Sequence, residues 1–247
     1  MVVRGDVIVR ADFEVEDTES VIVASAKRKS PPGIEILYSD SDIIVINKFE
    51  GLLSVPLEKT SSVHALGLLR EQFNTKQVFA VHRIDRETSG VMIFARNNKS
   101  MAKLLAMFKD HAFTREYLAI VMGRIFKKEG TWKSRLVEKN NFDVVSTQCS
   151  SQGKMAVTHY SVIRRSKNFS FLRLRLETGK KHQIRVHCNE AGHPIVGDKR
   201  YAPFCNPIFR MCLHANLLEF VHPMTGKKMS FTAPLPRKFS GLGFVGI

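Results

Sequence analysis

Cysteine is scarce in this 247-residue chain, and so are acidic residues over most of its length. The four cysteines are Cys149, Cys188, Cys205 and Cys212, and no two form a C-x-x-C pair. Nothing resembles a secretory signal, so this usage points to reduced thiols in an intracellular protein rather than a disulfide framework. Long apolar runs are missing too. None approaches the ~18 residues of a membrane-crossing helix, and the acidic N-terminal segment argues against a transit peptide. Cys188, His193, Cys205, Cys212 and His214 crowd together. Their spacing, C-x4-H then C-x6-C-x-H, fits no standard structural zinc pattern. With 44% hydrophobic residues, the chain can build a core without disulfides or metal.

The shortage of acidic residues is uneven. Residues 1–60 hold seven Lys and Arg against eleven Asp and Glu; residues 61–247 hold 31 against 12. The formal charge of the whole is +15. A basic body predicts a polyanionic partner, most simply nucleic acid. Scattered solvated lysines are the bland alternative, and the size of the excess favours the polyanion.

Period-two alternation from Val9 to Val15, a polar turn at 17–20 and an apolar return at 21–24 predict an N-terminal hairpin. Lys27–Gly33, with two prolines and a glycine, reads as a basic linker. The expected division is therefore residues 1–33, hairpin plus linker, and 34–247, one larger domain. Within the latter, strands are expected at 35–38, 43–47, 78–81, 91–95, 116–122, 131–137, 158–163, 169–176 and 213–220. Helices are expected at 62–73, with Val63, Leu66, Leu69 and Phe73 on one stripe, and at 101–109, capped by Ser100 with Leu104, Leu105 and Phe108 inward. A third is expected at 182–191, with Lys181, Arg185 and Asn189 on one polar face. Its start, beside Lys180 and Lys181, suits a phosphate. Strands with a few helices between them define an α+β class on a mainly antiparallel or mixed sheet.

Four polar clusters stand out. The first is His82–Gly90, HRIDRETSG, between two apolar runs. Its carboxylate, Asp85, has Arg83 and Arg86 as near neighbours, an arrangement that keeps a carboxylate ionised. An ionised carboxylate in a pocket can attack an electrophilic sugar carbon. The local residues alone fit an ion-paired turn at least as well. The others are Arg115-Glu116-Tyr117, TGKKHQIRVH (Thr178–His187) and LHANLLEFVHP (Leu213–Pro223). Taken singly, Tyr117 reads as a core tyrosine, Arg185 as solvent-exposed, and His182, His187, His214 and His222 as satisfied core histidines. The His-Arg-x-Asp run is no kinase catalytic loop, for no glycine-rich loop precedes it and no Asp-Phe-Gly follows.

Together and in order, the clusters resemble the RluA-type pseudouridine synthases. HRIDRETSG matches that family's HRLDR-x-[TS]-SG. REYLAIVMG (Arg115–Gly123) matches K-x-Y-x-A-x-V-x-G with arginine for lysine. TGKKHQIRVH, GHPIVGDKRY and LHANLLEFVHP match the later motifs, and the resemblance covers about residues 35–236. One departure is Lys48-Phe49-Glu50-Gly51, where the family has Lys-Pro before the glycine.

The resemblance implies a pseudouridine synthase catalytic fold and isomerisation of uridine in RNA, ribosomal or transfer. The target base must leave the stack. Asp85 would act as nucleophile on the anomeric carbon or remove a sugar proton. Arg185 would pair with Asp85, and Tyr117 would stack on the uracil and could also take the proton at its carbon 5. Arg83 or Arg86 would fill the gap left by the base or grip a phosphate. Ile184 would wall the pocket, and Lys180, Lys181 and His182 would contact RNA. No metal or cofactor is needed, and no protein partner is expected of a monomer. The rival is a non-catalytic RNA-binding protein on the same scaffold. A glycosidase or nuclease lacks its second carboxylate.

Overall fold

Short β-branched and aromatic runs, each closed by glycine or a polar turn, recur along the chain and form strands. The computed structural model describes residues 30–57, 62–149, 151–242 and 244. In chain order the elements are β1 (Ile34–Ser39), β2 (Ile43–Lys48), α1 (Ala65–Gln72), β3 (Phe79–Ala80), β4 (Ser89–Ala95), α2 (Asn98–Lys109) and β5 (Thr114–Met122). There follow β6 (Glu129–Glu138), β7 (Val144–Thr147), β8 (Lys154–Arg165), β9 (Phe169–Leu176), α3 (Gln183–Glu190), β10 (Leu213–Val221), β11 (Lys228–Thr232) and a 3-10 helix (Arg237–Leu242).

All these strands join one sheet in the order β1-β2-β4-β10-β5-β9-β8-β6-β7, with β3 paired on β4 and β11 on β10. Every pairing is antiparallel except β4 with β10. The sheet is mixed and the class α+β, as the pattern of runs predicts.

Every residue of β2 and β4 is buried because a helix covers each face. Ile44, Ile46, Met92 and Phe94 pack with Leu66 and Leu69 of α1. Ile43, Val45, Val91 and Ile93 pack with Leu104 of α2. Strands buried on both faces read as continuous apolar runs rather than alternating ones. A leucine as buried as Leu69 is worth about 1.5–3 kcal/mol. In β9 the alternation holds: Leu172 and Leu174 enter the core with Ile184 and Cys188 of α3, while Arg173 and Arg175 are exposed. All four cysteines are free thiols.

Several local expectations are corrected. Val63 is 66% exposed and precedes α1; the His64 side chain caps that helix by accepting from the Gly67 N–H at 2.9 Å. Asn97, not Ser100, caps α2, accepting from the Ser100 N–H. Ser100 lies one turn in and donates to the Asp42 carbonyl, and Leu105 faces solvent. Lys181 lies outside α3, and Arg185 is buried rather than on an outer polar face. Strands β7 and β11 were not expected, being short and polar. The hairpin expected at 7–24 lies outside the described residues.

Candidate active site

The one parallel pairing between strands among the described residues builds the site. It sets Gly90 of β4 beside Ala215 of β10. Ala215 faces Tyr117 of β5, and Tyr117 faces Leu174 of β9. The turn just before Gly90, which carries Asp85, therefore overlooks Tyr117. Gly90 has φ +120°, and a Cβ there would collide with the Ala215 carbonyl. Only glycine satisfies both the backbone angle and the close approach.

The Asp85 turn is pinned from below. Lys48 is fully buried, and its ammonium donates to the carbonyls of Phe49 (3.0 Å), Leu52 (2.8 Å) and Arg86 (3.2 Å). Burial pulls its pKa down to about 7, against the opposing pull of Asp85 and Glu87. The Ser54 hydroxyl donates to the Ile84 carbonyl at 2.7 Å. The Thr88 N–H closes the turn on the Asp85 carbonyl at 3.1 Å. His82 accepts from the Ile93 N–H at 3.0 Å. Burial, then the charge of Arg115, lowers its pKa to about 3.

Across the pocket, Arg185 Nη1 donates to Asp85 Oδ2 at 2.9 Å. Its other edge forms a bidentate pair with Asp198: Nε to Oδ2 and Nη2 to Oδ1, both 2.7 Å. Two parallel bonds fix the plane of the guanidinium as well as its place. Asp198 is held in turn by the N–H groups of Arg200 and Tyr201 at 3.0 and 3.1 Å. Burial works against the charge of Arg185, but Asp198 and then Asp85 outweigh it, and its pKa is raised. Arg185 is therefore a permanent cation aimed at Asp85.

His182 sits in the left-handed region at φ 53°, its Nε2 3.9 Å from Asp85 Oδ2. Its Nδ1 lies 3.1 Å from the Tyr201 hydroxyl, which donates to the Val144 carbonyl. The Tyr201 hydroxyl thus ties His182 to the Val144 backbone, while Nε2 faces Asp85. Burial lowers the pKa of His182, opposed by Asp85.

Asp85, Thr88, Tyr117, Ile184 and Arg185 line one pocket, with Arg83, Lys180 and His182 at its margin and Leu176 and Leu213 among its apolar walls. The Tyr117 pKa is raised, chiefly by burial, with Arg115 lowering it and Asp85 raising it. The Thr88 hydroxyl is buried and has no hydrogen-bond partner among the described residues.

Two expected RNA contacts fall elsewhere. Arg86 is exposed, with its Nε on the Gly51 carbonyl at 2.9 Å, and does not line this pocket. Lys181 turns toward the β6–β7 hairpin, pairing with Glu138 and lying over the Phe142 ring at 5.4 Å. The start of α3 is also less open to phosphate than expected, since the Gln183 side chain accepts the Lys180 N–H at 3.0 Å. His187, His214 and His222 are buried and hydrogen-bonded, which fits the reading as core histidines. Asp198, Lys48 and Thr88 are the site residues that sequence reasoning passed over. Each lies inside a quoted motif, but nothing local says what it touches.

The site is thus an arginine-held carboxylate and a tyrosine sharing one pocket on a mixed sheet. Residues 42–190 match the family described as RNA pseudouridylate synthase. The uncharacterized RNA pseudouridine synthase YjbO of Bacillus subtilis is 33% identical, over 97% of this chain and 83% of that protein. Ribosomal large subunit pseudouridine synthase D of Buchnera aphidicola from Acyrthosiphon pisum is 37% identical, over 85% and 72%. The human RNA pseudouridylate synthase domain containing 1 structure superposes with a TM-score of 0.70 at 25% identity, over 85% of this chain and 86% of that one. The chain belongs to the RNA pseudouridylate synthase family, in its RluA-type branch, whose members are isomerases that act on RNA.

Proposed function

We propose that this chain isomerises one uridine to pseudouridine in a structured RNA, with Asp85 as nucleophile. The observation that carries this is the Asp85–Arg185–Asp198 chain of charge. A carboxylate at a pocket is aimed by a guanidinium that a second, buried carboxylate holds still. Preorganised charge of this kind lowers a barrier because nothing has to reorient during the reaction. Relatives named for the large ribosomal subunit favour ribosomal over transfer RNA as substrate.

The flipped uridine enters with its ribose over Asp85 and its base on Tyr117. Arg185 binds Oδ2, so Oδ1 attacks the anomeric carbon. The carbon–oxygen bond forms, the bond to base nitrogen breaks, and uracil leaves with the electron pair. The uracil turns so that its carbon 5 attacks the same sugar carbon. The bond to Asp85 breaks, the carboxylate returns to Arg185, carbon 5 gives its proton to solvent and N1 takes one up, so the isomerisation leaves the proton count unchanged. The raised pKa of Tyr117 keeps the phenol neutral, which supports stacking as its role rather than proton removal. Thr88 offers its free hydroxyl to the substrate. Ile184, Leu176 and Leu213 keep out water, which would otherwise capture the open sugar carbon and leave an abasic site.

Asp85→Asn is the test. It keeps the shape of the side chain and removes the charge. Tritium release from RNA labelled at carbon 5 of uridine is expected to fall to background, with circular dichroism unchanged. Release near the wild-type rate would remove Asp85 from the chemistry.

A further inference from the structure

A second depression runs from the far side of Tyr117. It shares Arg83, Tyr117, Leu176 and Lys180 with the Asp85 pocket, so the two are continuous. Measured alike, its volume is about 460 Å³ against about 70 Å³ for the pocket. The groove is several times the larger of the two, with space for a stretch of backbone beside the pocket. Arg83, Lys109, Arg115 and Lys180 supply cations along the groove, and among the described residues no carboxylate lines it.

The floor is rigid, aromatic and neutral. His82 stacks on Phe108 with centroids 4.8 Å apart, and Phe108 stacks on Phe113 at 4.0 Å. The lowered pKa of His82 keeps its ring uncharged. Arg115 lies over the Phe108 ring at 5.9 Å. Its Nε is buried, yet has no hydrogen-bond partner among the described residues. A buried guanidinium N–H without a partner is costly and calls for an acceptor from outside the chain. Gly179 makes space for it: a Cβ there would sit 2.5 Å from Arg115 Nη1. Arg115 is also where this chain departs from the family's lysine. Arginine offers a planar fork of donors where lysine offers a point charge.

We infer that this groove binds the phosphate backbone of the RNA next to the flipped uridine, with Arg115 as its central cation. The inference rests on the proposed function for the identity of the strand. One strand then runs over Tyr117, its reacting nucleotide in the pocket and a neighbouring phosphate on Arg115, flanked by Arg83 and Lys180. Such contacts position the substrate without reading sequence.

The test uses the full chain and a fluorescein-labelled 12-nucleotide oligouridylate, followed by anisotropy across a range of KCl concentrations. Arg115→Gln is expected to weaken binding several-fold and to reduce the slope of log K against log salt by about 0.7, one single-strand phosphate contact. Arg115→Lys should restore most of the slope. Lys109 is exposed at the end of α2, so Lys109→Gln should fold normally and also reduce the slope. Lys167 is exposed in the β8–β9 turn, at the opposite end of β5 and β9 from Arg115. Lys167→Gln should change neither quantity. A wild-type slope in both Arg115→Gln and Lys109→Gln, or an equal reduction in Lys167→Gln, overturns the groove. Pseudouridine formation is measured separately. Its absence in the wild type would refute the proposed function while the salt slopes still report on the groove.

Discussion

Asp85 and Asp198 share one arginine but stand in different surroundings. The Asp85 side chain is 21% exposed at the pocket mouth; that of Asp198 is fully buried. Coulomb attraction in water-exposed pairs is worth about 0–1 kcal/mol. Removing one partner of a buried pair costs about 3–5 kcal/mol, because the other charge is stranded. Asp198→Ala is therefore expected to lower unfolding free energy by that larger amount in urea denaturation. Asp85→Asn should cost far less, since Arg185 keeps both bonds to Asp198. Comparable losses in the two variants would mean that Asp198 is not the residue fixing Arg185. The two carboxylates thus differ in place: one holds the cation, and the other stands at the pocket mouth, where the proposed nucleophile belongs.

At the scale of elements, the β4–β10 pairing decides whether the site exists. Gly90 is where those strands come closest. Gly90→Ala combines a disfavoured φ with a clash against the Ala215 backbone, and backbone has nowhere to move inside a sheet. The expected loss exceeds about 4 kcal/mol, the range reserved for disrupted cores and strained backbone. Gly226 supplies the control. It has φ +73° but nothing within 4 Å of a Cβ, so Gly226→Ala should cost only the left-handed penalty of about 1–2 kcal/mol. Thermal melting of the two variants checks the contrast. Similar melting temperatures would show that β10 can shift away from β4.

For the whole molecule, Lys48 links folding to pH. Its pKa falls from the ordinary 10.5 to about 7 when the chain folds. Between those values the unfolded chain holds a proton that the folded chain has lost, so stability rises as pH is raised from about 7 toward 10.5. Below about 7 both states are protonated and this contribution is flat. Urea denaturation across that range should show the rise in wild type. Lys48→Met should be less stable, because the Phe49 and Leu52 carbonyls lose the Lys48 ammonium and the Arg86 carbonyl keeps only the Gly51 N–H, and its rise should be smaller. Equal pH dependence in the two proteins would mean that Lys48 stays charged in the fold.

The order of the motifs, the basic body and the alternation of β9 were legible in the chain, because each is a local property. A period of two needs no partner, and charge is additive. The carboxylate, the arginine and the tyrosine were legible as motif members as well. What linear spacing could not show is which polar residues turn inward. Arg185 reads as a solvent-facing residue until Asp198 is brought to it, and Lys48 reads as a strand end until the Asp85 turn closes over it. The unpaired edge of Arg115 was equally hidden, since the groove exists only once α2, β5 and the 178–180 loop meet. Composition and pattern determined that this chain would be a basic, strand-rich protein carrying these motifs. Tertiary structure decided which charges are paired and which face the proposed RNA groove, because pairing depends on distances across the sheet between residues a hundred positions apart.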